Sequence, residues 1–146
     1  MKKITSFSSF TLILFLFFTS VAFAQVQARV RIIEASNEGA SIDPVLRDVH
    51  RELGYLFSFT SYRLLKDIIL DLTGNRPVDV PVHPGRSMEV TLVGEYKNLV
   101  ELRIRIKRRE IPILNTLVRL SSGRTVLIGG PRHGRGNTIL AISARF

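Results

Sequence analysis

The strongest constraint on the fold is a strict alternation of apolar and charged side chains across residues 100–107. The two alternating sets are Leu102, Ile104 and Ile106 on one side, and Arg103, Arg105 and Lys107 on the other. Because successive side chains of a β-strand point to opposite faces, this segment predicts a half-buried strand. The three cations are therefore expected on the outer side of a sheet.

The same period of two recurs along the chain. It predicts a first strand over residues 26–35, in which Arg29 and Arg31 oppose the apolar set Ala28, Val30 and Ile32. Further strands are predicted over residues 78–82, 88–94, 114–120, 125–128 and 138–144. Pro81 indicates an edge position for the strand of residues 78–82. We therefore predict a mainly β domain of the α+β class, built as an antiparallel sheet or small β-sandwich.

One short helix is predicted over about residues 43–53. Asp43 can cap the free amides of the first turn, and Pro44 suits the first helical position. The expected buried face consists of four residues at helical spacing, Val45, Leu46, Val49 and Leu53. Gly54 is expected to end the helix.

Residues 56–72 fit two patterns. Within them, helical spacing fits Leu65, Ile68, Ile69 and Leu72, whereas a strand fits Leu64 with Ile68, Leu70 and Leu72. The aromatic and threonine content of residues 57–62 favours strands. The strand interpretation is therefore preferred, and the helix stays open.

The first 24 residues have the layout of a secretory signal peptide. Lys2 and Lys3 precede an apolar run, and Ala22 and Ala24 occupy the small-residue positions of a cleavage site. The run is shorter than the roughly 20 apolar residues that cross a bilayer. We predict cleavage after Ala24 and a single β-rich domain over residues 25–146, without a transmembrane span and located in the periplasm.

Charge and composition narrow the function classes. Without Lys2 and Lys3, 19 of the 21 basic residues remain, against 12 acidic ones. This excess favours anionic partners, among which export makes nucleic acid the least favoured, so no nucleic-acid partner is predicted; the alternative is that the charge serves solubility alone. The chain has no cysteine, which excludes thiol catalysis and cysteine-bound zinc.

No residue pattern indicates catalysis or a cofactor. His50, His83 and His133 lack the spacing of metal ligands, and no serine lies in a nucleophile-elbow motif. The glycine-rich segment of residues 129–136 lacks the Gly-Lys-Ser/Thr ending of a phosphate-binding loop. It predicts a hairpin tip, on which Arg132 and Arg135 can hold an anion. We therefore predict a protein that is neither an enzyme nor cofactor-dependent.

Residues 116–130 resemble the conserved core of bacterial secretins, the outer-membrane channels of secretion and type IV pilus systems. The matching positions are Thr116, Val118, Leu120, Gly123, Thr125, Val126, Ile128, Gly129 and Gly130. The resemblance implies a hairpin that turns at Gly123, with a bend or bulge at Gly129 and Gly130. It also implies an accessory role in such a system.

Three functional hypotheses follow. The first is a periplasmic binding or assembly module with an envelope protein as partner. The second is a sheet that binds anionic lipid or lipopolysaccharide through Arg29, Arg31, Arg103, Arg105 and Lys107. These cations form one surface only if their two strands share a sheet. The third, a small hydrolase, has the least support.

Overall fold

The structure, a computed structural model, describes residues 25–83 and 85–146, so the predicted signal peptide lies outside the described residues. Its strands are β1 (Val26–Ser36), β2 (Ser61–Leu72), β3 (Val78–His83), β4 (Arg86–Tyr96), β5 (Leu99–Arg108), β6 (Ile111–Ser121), β7 (Thr125–His133) and β8 (Gly136–Arg145). A 3-10 turn (Pro44–Leu46) and the helix α1 (His50–Leu56) lie between β1 and β2. The mainly β prediction is confirmed. No helix in the described part of the chain is long and apolar enough to cross a membrane.

The strands form two four-stranded antiparallel sheets that pack face to face. Sheet A has the order β2-β1-β8-β7, and sheet B has the order β3-β4-β5-β6. Neighbouring strands are consecutive in the chain except for β1 and β8, which pair with each other. The chain therefore enters sheet B after β2 and returns to sheet A after β6.

The core between the sheets follows the period-two pattern. It consists mainly of Val26, Ala28, Val30, Ile32, Met88, Val90, Leu92, Leu102, Ile104, Ile106, Leu140 and Ile142, all buried. Burying an aliphatic side chain of this size contributes roughly 1.5–3 kcal/mol. Every predicted apolar set of residues 26–35 and 100–107 lies in this core, so the outer faces carry the alternating polar residues.

A second cluster covers part of the outer face of sheet A. Ile33 and Ala35 occupy outward-facing positions of β1, because Val26, Ala28, Val30 and Ile32 alternate with them and face inward. Helix α1 and the turn before it cover them with Leu46, Val49 and Leu53, all buried. The two opposite faces of β1 therefore contribute to two separate hydrophobic clusters.

The predicted helix is broken and displaced. Asp43 caps as expected, since its Oδ1 accepts from Val45 N at 3.3 Å, and Pro44 begins a 3-10 turn. The α-helix starts only at His50 and includes Gly54. Val45 is 56% exposed, so its assignment to the buried face is wrong. Leu46, Val49 and Leu53 still reach the outer face of sheet A, although a 3-10 turn and a separate helix replace the continuous helix.

The strand predicted within residues 56–72 and the hairpin predicted over residues 114–128 have opposite outcomes. Residues 61–72 form β2 and pair with β1 along its length, so the strand interpretation is confirmed. The predicted hairpin of residues 114–128 is wrong, because β6 lies in sheet B and β7 in sheet A. Gly123 has φ +79°, the expected turn conformation, and the register shifts between Gly129 and Arg132 as a bulge requires. The turn connects two sheets, since β6 is the edge strand of sheet B beside β5 and β7 is the edge strand of sheet A beside β8.

A candidate anion-binding cleft

The cations of β1 and β5 do not form one surface. Arg29 and Arg31 lie on the outer face of sheet A, and Arg103, Arg105 and Lys107 lie on the outer face of sheet B. Since the two inner faces pack together, the outer faces are on opposite sides of the sandwich. The condition for a single basic sheet surface is therefore not met.

The two arginines of β1 are already paired with carboxylates. Arg29 Nε donates to Asp67 Oδ1 at 2.8 Å, and Arg31 Nη1 donates to Asp48 Oδ1 at 2.7 Å. These hydrogen bonds hold the pKa of Asp67 and of Asp48 below the ordinary value for a carboxyl, and Asp67 raises the pKa of Arg29. Arg31 is only 3% exposed, so it is a structural group rather than a contact site.

The outer face of sheet B is partly neutralised. Glu89 lies 3.4 Å from Arg105 and 3.5 Å from Lys107, measured between carboxylate oxygens and side-chain nitrogens. Glu101 pairs with Arg119 at 2.8 Å. Within the described residues, Arg103 is the member of the predicted set on this face that has no carboxylate in ion-pair range. This face therefore offers a single uncompensated cation from that set.

A denser concentration of positive charge lies at one end of the sandwich. The turns β3–β4, β5–β6 and β7–β8 meet there and enclose a cleft of about 440 Å³. Its lining is Gly85, Arg86, Arg108, Arg109, Arg132, His133 and Gly134. We call this the arginine cleft. Consecutive strands from β3 to β8 run in opposite directions, so every second turn lies at the same end of the sandwich. The three turns therefore converge there.

Two hydrogen bonds join the walls of the arginine cleft. Arg109 N donates to Gly85 O at 3.1 Å, which joins the β5–β6 turn to the β3–β4 turn. Arg86 Nη1 donates to Arg132 O at 2.6 Å, which joins sheet B to sheet A. The cleft is thus held by contacts between its own segments.

The β5–β6 turn has an unfavourable sequence for its shape. Its two residues, Arg109 and Glu110, have φ +47° and +67°. Two-residue hairpin turns with both φ positive prefer Asn-Gly or Asp-Gly, because other side chains strain the left-handed conformation. Arg109 lies at the cleft in this unfavourable conformation. Strained residues of this kind concentrate at functional sites.

The four arginines of the cleft, Arg86, Arg108, Arg109 and Arg132, have no ion-pair partner in the described part of the chain. Glu34 lies 3.3 Å from His133 of the cleft lining and 2.8 Å from Arg63, and Glu38 pairs with Arg135 at 3.0 Å. Arg135 therefore belongs to an exposed ion pair beside the cleft and does not line it.

Of the predicted site residues, the cleft contains Arg132 alone. Sequence reasoning missed Arg86, Arg108 and Arg109, although each lies in a connection between two predicted strands. The order of the strands could have indicated this site. When consecutive strands run in opposite directions, every second turn lies at the same end of the sandwich. In the described residues, no group of three or more histidines and carboxylates is arranged to hold a metal ion.

Comparisons with known proteins add no relative. No family model, curated protein or solved structure matches the chain. The class is thus defined by the fold and the site alone: a two-sheet antiparallel sandwich with a basic cleft at one end.

Proposed function

We propose that this chain is an exported, non-catalytic binding module that attaches to an anionic envelope surface through the arginine cleft. The observation that carries the proposal is the convergence of four arginines in or beside three neighbouring turns, none with a carboxylate in ion-pair range among the described residues. Like charges gathered in this way repel one another, and a bound anion relieves that repulsion. Arginine also keeps its charge at any relevant pH and donates up to five N–H groups.

An exposed apolar segment supports a lipid surface as the partner. Ile111 is 67% exposed and directly follows the β5–β6 turn, and Ile113 is 42% exposed. Exposed aliphatic side chains beside a cationic cluster are typical of proteins that lie on anionic membranes. The proposed contact surface is the end of the sandwich. It differs from the outer sheet face that the sequence pattern indicates.

The accessory role in a secretion or pilus system, with an envelope protein as partner, stays a separate prediction. It rests on the resemblance of residues 116–130 to secretins. The β-hairpin that this resemblance implies is not formed, because the two strands lie in different sheets. Specific attachment that persists without lipid would favour this protein-partner hypothesis over the surface-binding proposal.

Vesicle binding tests the proposal. Residues 25–146 should bind vesicles that contain anionic phospholipid, and binding should weaken as salt is raised. Arg108→Gln with Arg132→Gln should weaken binding roughly tenfold or more, since each cation near such a surface contributes about 1 kcal/mol. The matched control is Arg76→Gln with Arg124→Gln, which removes the same charge from exposed positions at the opposite end.

A second pair of variants separates the cleft from the sheet face. Arg103→Glu with Arg105→Glu reverses two charges on the outer face of sheet B and leaves the arginine cleft intact. If the cleft is the contact, this variant should retain more binding than the cleft variant. Equal losses in the cleft variant and its matched control, or no binding to anionic vesicles at low salt, would contradict the proposal.

A further inference from the structure

We infer that the arginine cleft selects phosphomonoester groups, such as a terminal phosphate on a lipid headgroup, over singly charged phosphodiesters and carboxylates. This inference rests on the proposed function and names the chemical class of its ligand. The first argument is charge. A single carboxylate or phosphodiester brings one negative charge to four guanidinium groups, whereas a phosphomonoester brings about −1.5 to −2 at neutral pH.

The second argument is the number of acceptors. A phosphomonoester has three terminal oxygens that accept hydrogen bonds, and arginine pairs with phosphate through two parallel N–H groups. A phosphodiester has two such oxygens. Arg86 and Arg108 are cross-strand partners in sheet B, Arg109 is in the adjoining turn, and Arg132 comes from sheet A. Because they line the cleft from both sheets, a tetrahedral group with three free oxygens can meet more of them at once.

The third argument is preorganisation. Arg86 is fixed across the cleft by its hydrogen bond to Arg132 O, at 2.6 Å. This bond orients one guanidinium before any ligand arrives, which lowers the entropy cost of binding. It also occupies a carbonyl oxygen that would otherwise repel an incoming anion. Arg86 is therefore assigned a positioning role as well as a contact role.

The fourth argument is size. A cleft of about 440 Å³ falls within the range of small-ligand sites, roughly 300–1,000 Å³. It has room for one phosphate with part of the group that carries it. The same ligand chemistry can come from a lipid headgroup or from a soluble phosphomonoester, and the exposed Ile111 beside the cleft favours the lipid.

The experiment compares two lipids that differ in phosphate chemistry. Vesicles of phosphatidic acid, a phosphomonoester, and of phosphatidylglycerol, a phosphodiester, are prepared in neutral carrier lipid at matched surface potential. Wild-type residues 25–146 should bind phosphatidic acid at least about fivefold more tightly, because only this lipid fills the additional arginine donors. Arg108→Gln with Arg132→Gln should abolish the preference, and Arg76→Gln with Arg124→Gln should retain it.

The outcomes distinguish this inference from the proposed function. Equal, cleft-dependent binding to both lipids overturns the phosphomonoester selectivity and leaves anionic-surface binding standing. Binding to neither lipid overturns both. Competition by soluble glycerol 3-phosphate tests the source of the ligand: competition assigns recognition to the phosphate alone, and phosphatidic acid selectivity without competition assigns it to the lipid-borne group.

Discussion

The outer faces of the two sheets share one sequence pattern but differ in how their arginines are buried and paired. In β1 and in β5, arginines alternate with core aliphatic residues, so both strands turn cations outward. On sheet A, Arg31 is 3% exposed and bonded to Asp48. On sheet B, Arg103 is half-buried and has no carboxylate in ion-pair range among the described residues. The alternation decides the side of a strand on which a charge lies, and the neighbouring elements decide its surroundings.

The difference comes from the segment between β1 and β2. This segment folds back over sheet A, brings Leu46, Val49 and Leu53 onto its outer face and places Asp48 beside Arg31. Tyr62 is fixed beneath it, since its hydroxyl donates to Leu53 O or Phe57 O, each at 3.2 Å, and burial raises the pKa of that hydroxyl. Sheet A is thus packed on two sides where sheet B is packed on one.

The largest expected effect tests the covered face. Leu53→Ala removes a fully buried side chain from the second cluster and should lower the free energy of unfolding by about 2–4 kcal/mol. Leu117→Ala on the outer face of sheet B, where the side chain is 52% exposed, should change it by less than about 0.5 kcal/mol. Urea unfolding of residues 25–146 measures both. Similar losses in the two variants would contradict the difference between the faces.

The next effect tests the charges. Asp48→Ala leaves the buried guanidinium of Arg31 without its carboxylate and should cost about 2 kcal/mol, below the usual range for a buried pair because Asp48 is 56% exposed. Glu89→Ala on sheet B breaks two longer, half-exposed contacts and should cost about 0.5–1 kcal/mol. Urea unfolding again measures both, and a smaller loss for Asp48→Ala would mean that Arg31 is stable without its partner.

The same pairs predict how acid affects stability. Asp48 and Asp67 have lowered pKa values in the folded protein, because Arg31 and Arg29 hydrogen-bond to their charged forms. Their contribution is present above the unfolded carboxyl pKa of about 3.9 and is lost as pH falls through the lower folded values. Unfolding measured across this acidic range should therefore depend less on pH in Asp48→Asn with Asp67→Asn than in the wild type.

The smallest expected effect tests the passage from sheet B to sheet A. Gly123 has φ +79° with open space around it, so a side chain there meets conformational strain but no clash. Gly123→Val should cost on the order of 1 kcal/mol or more, because a β-branched residue disfavours positive φ. Gly54→Val in α1, at ordinary φ, gives a helical comparison. An unchanged melting temperature for Gly123→Val would show that the turn can relax.

Local pattern predicted most of the strands, but the one strand pairing that it predicted, the hairpin of residues 114–128, is wrong. Residues 26–35 and 100–107 alternate so strictly that their buried faces could be assigned without a structure. The helix was harder, because Leu46, Val49 and Leu53 fit a continuous helix as well as the broken one. The connection at Gly123 was also read correctly as a turn and incorrectly as a hairpin, since a turn does not specify which strands will pair across it.

The sequence by itself determined the β-rich class, the apolar sets of the core, the outward side of each cation and the turn at Gly123. These properties depend on the period of a strand and on the φ preference of single residues. Only the tertiary structure decided that Arg31 is buried beside Asp48 and that Arg86, Arg108, Arg109 and Arg132 meet at one cleft. The reason is distance along the chain: these charges come from separate segments, and their mutual positions depend on how both sheets assemble.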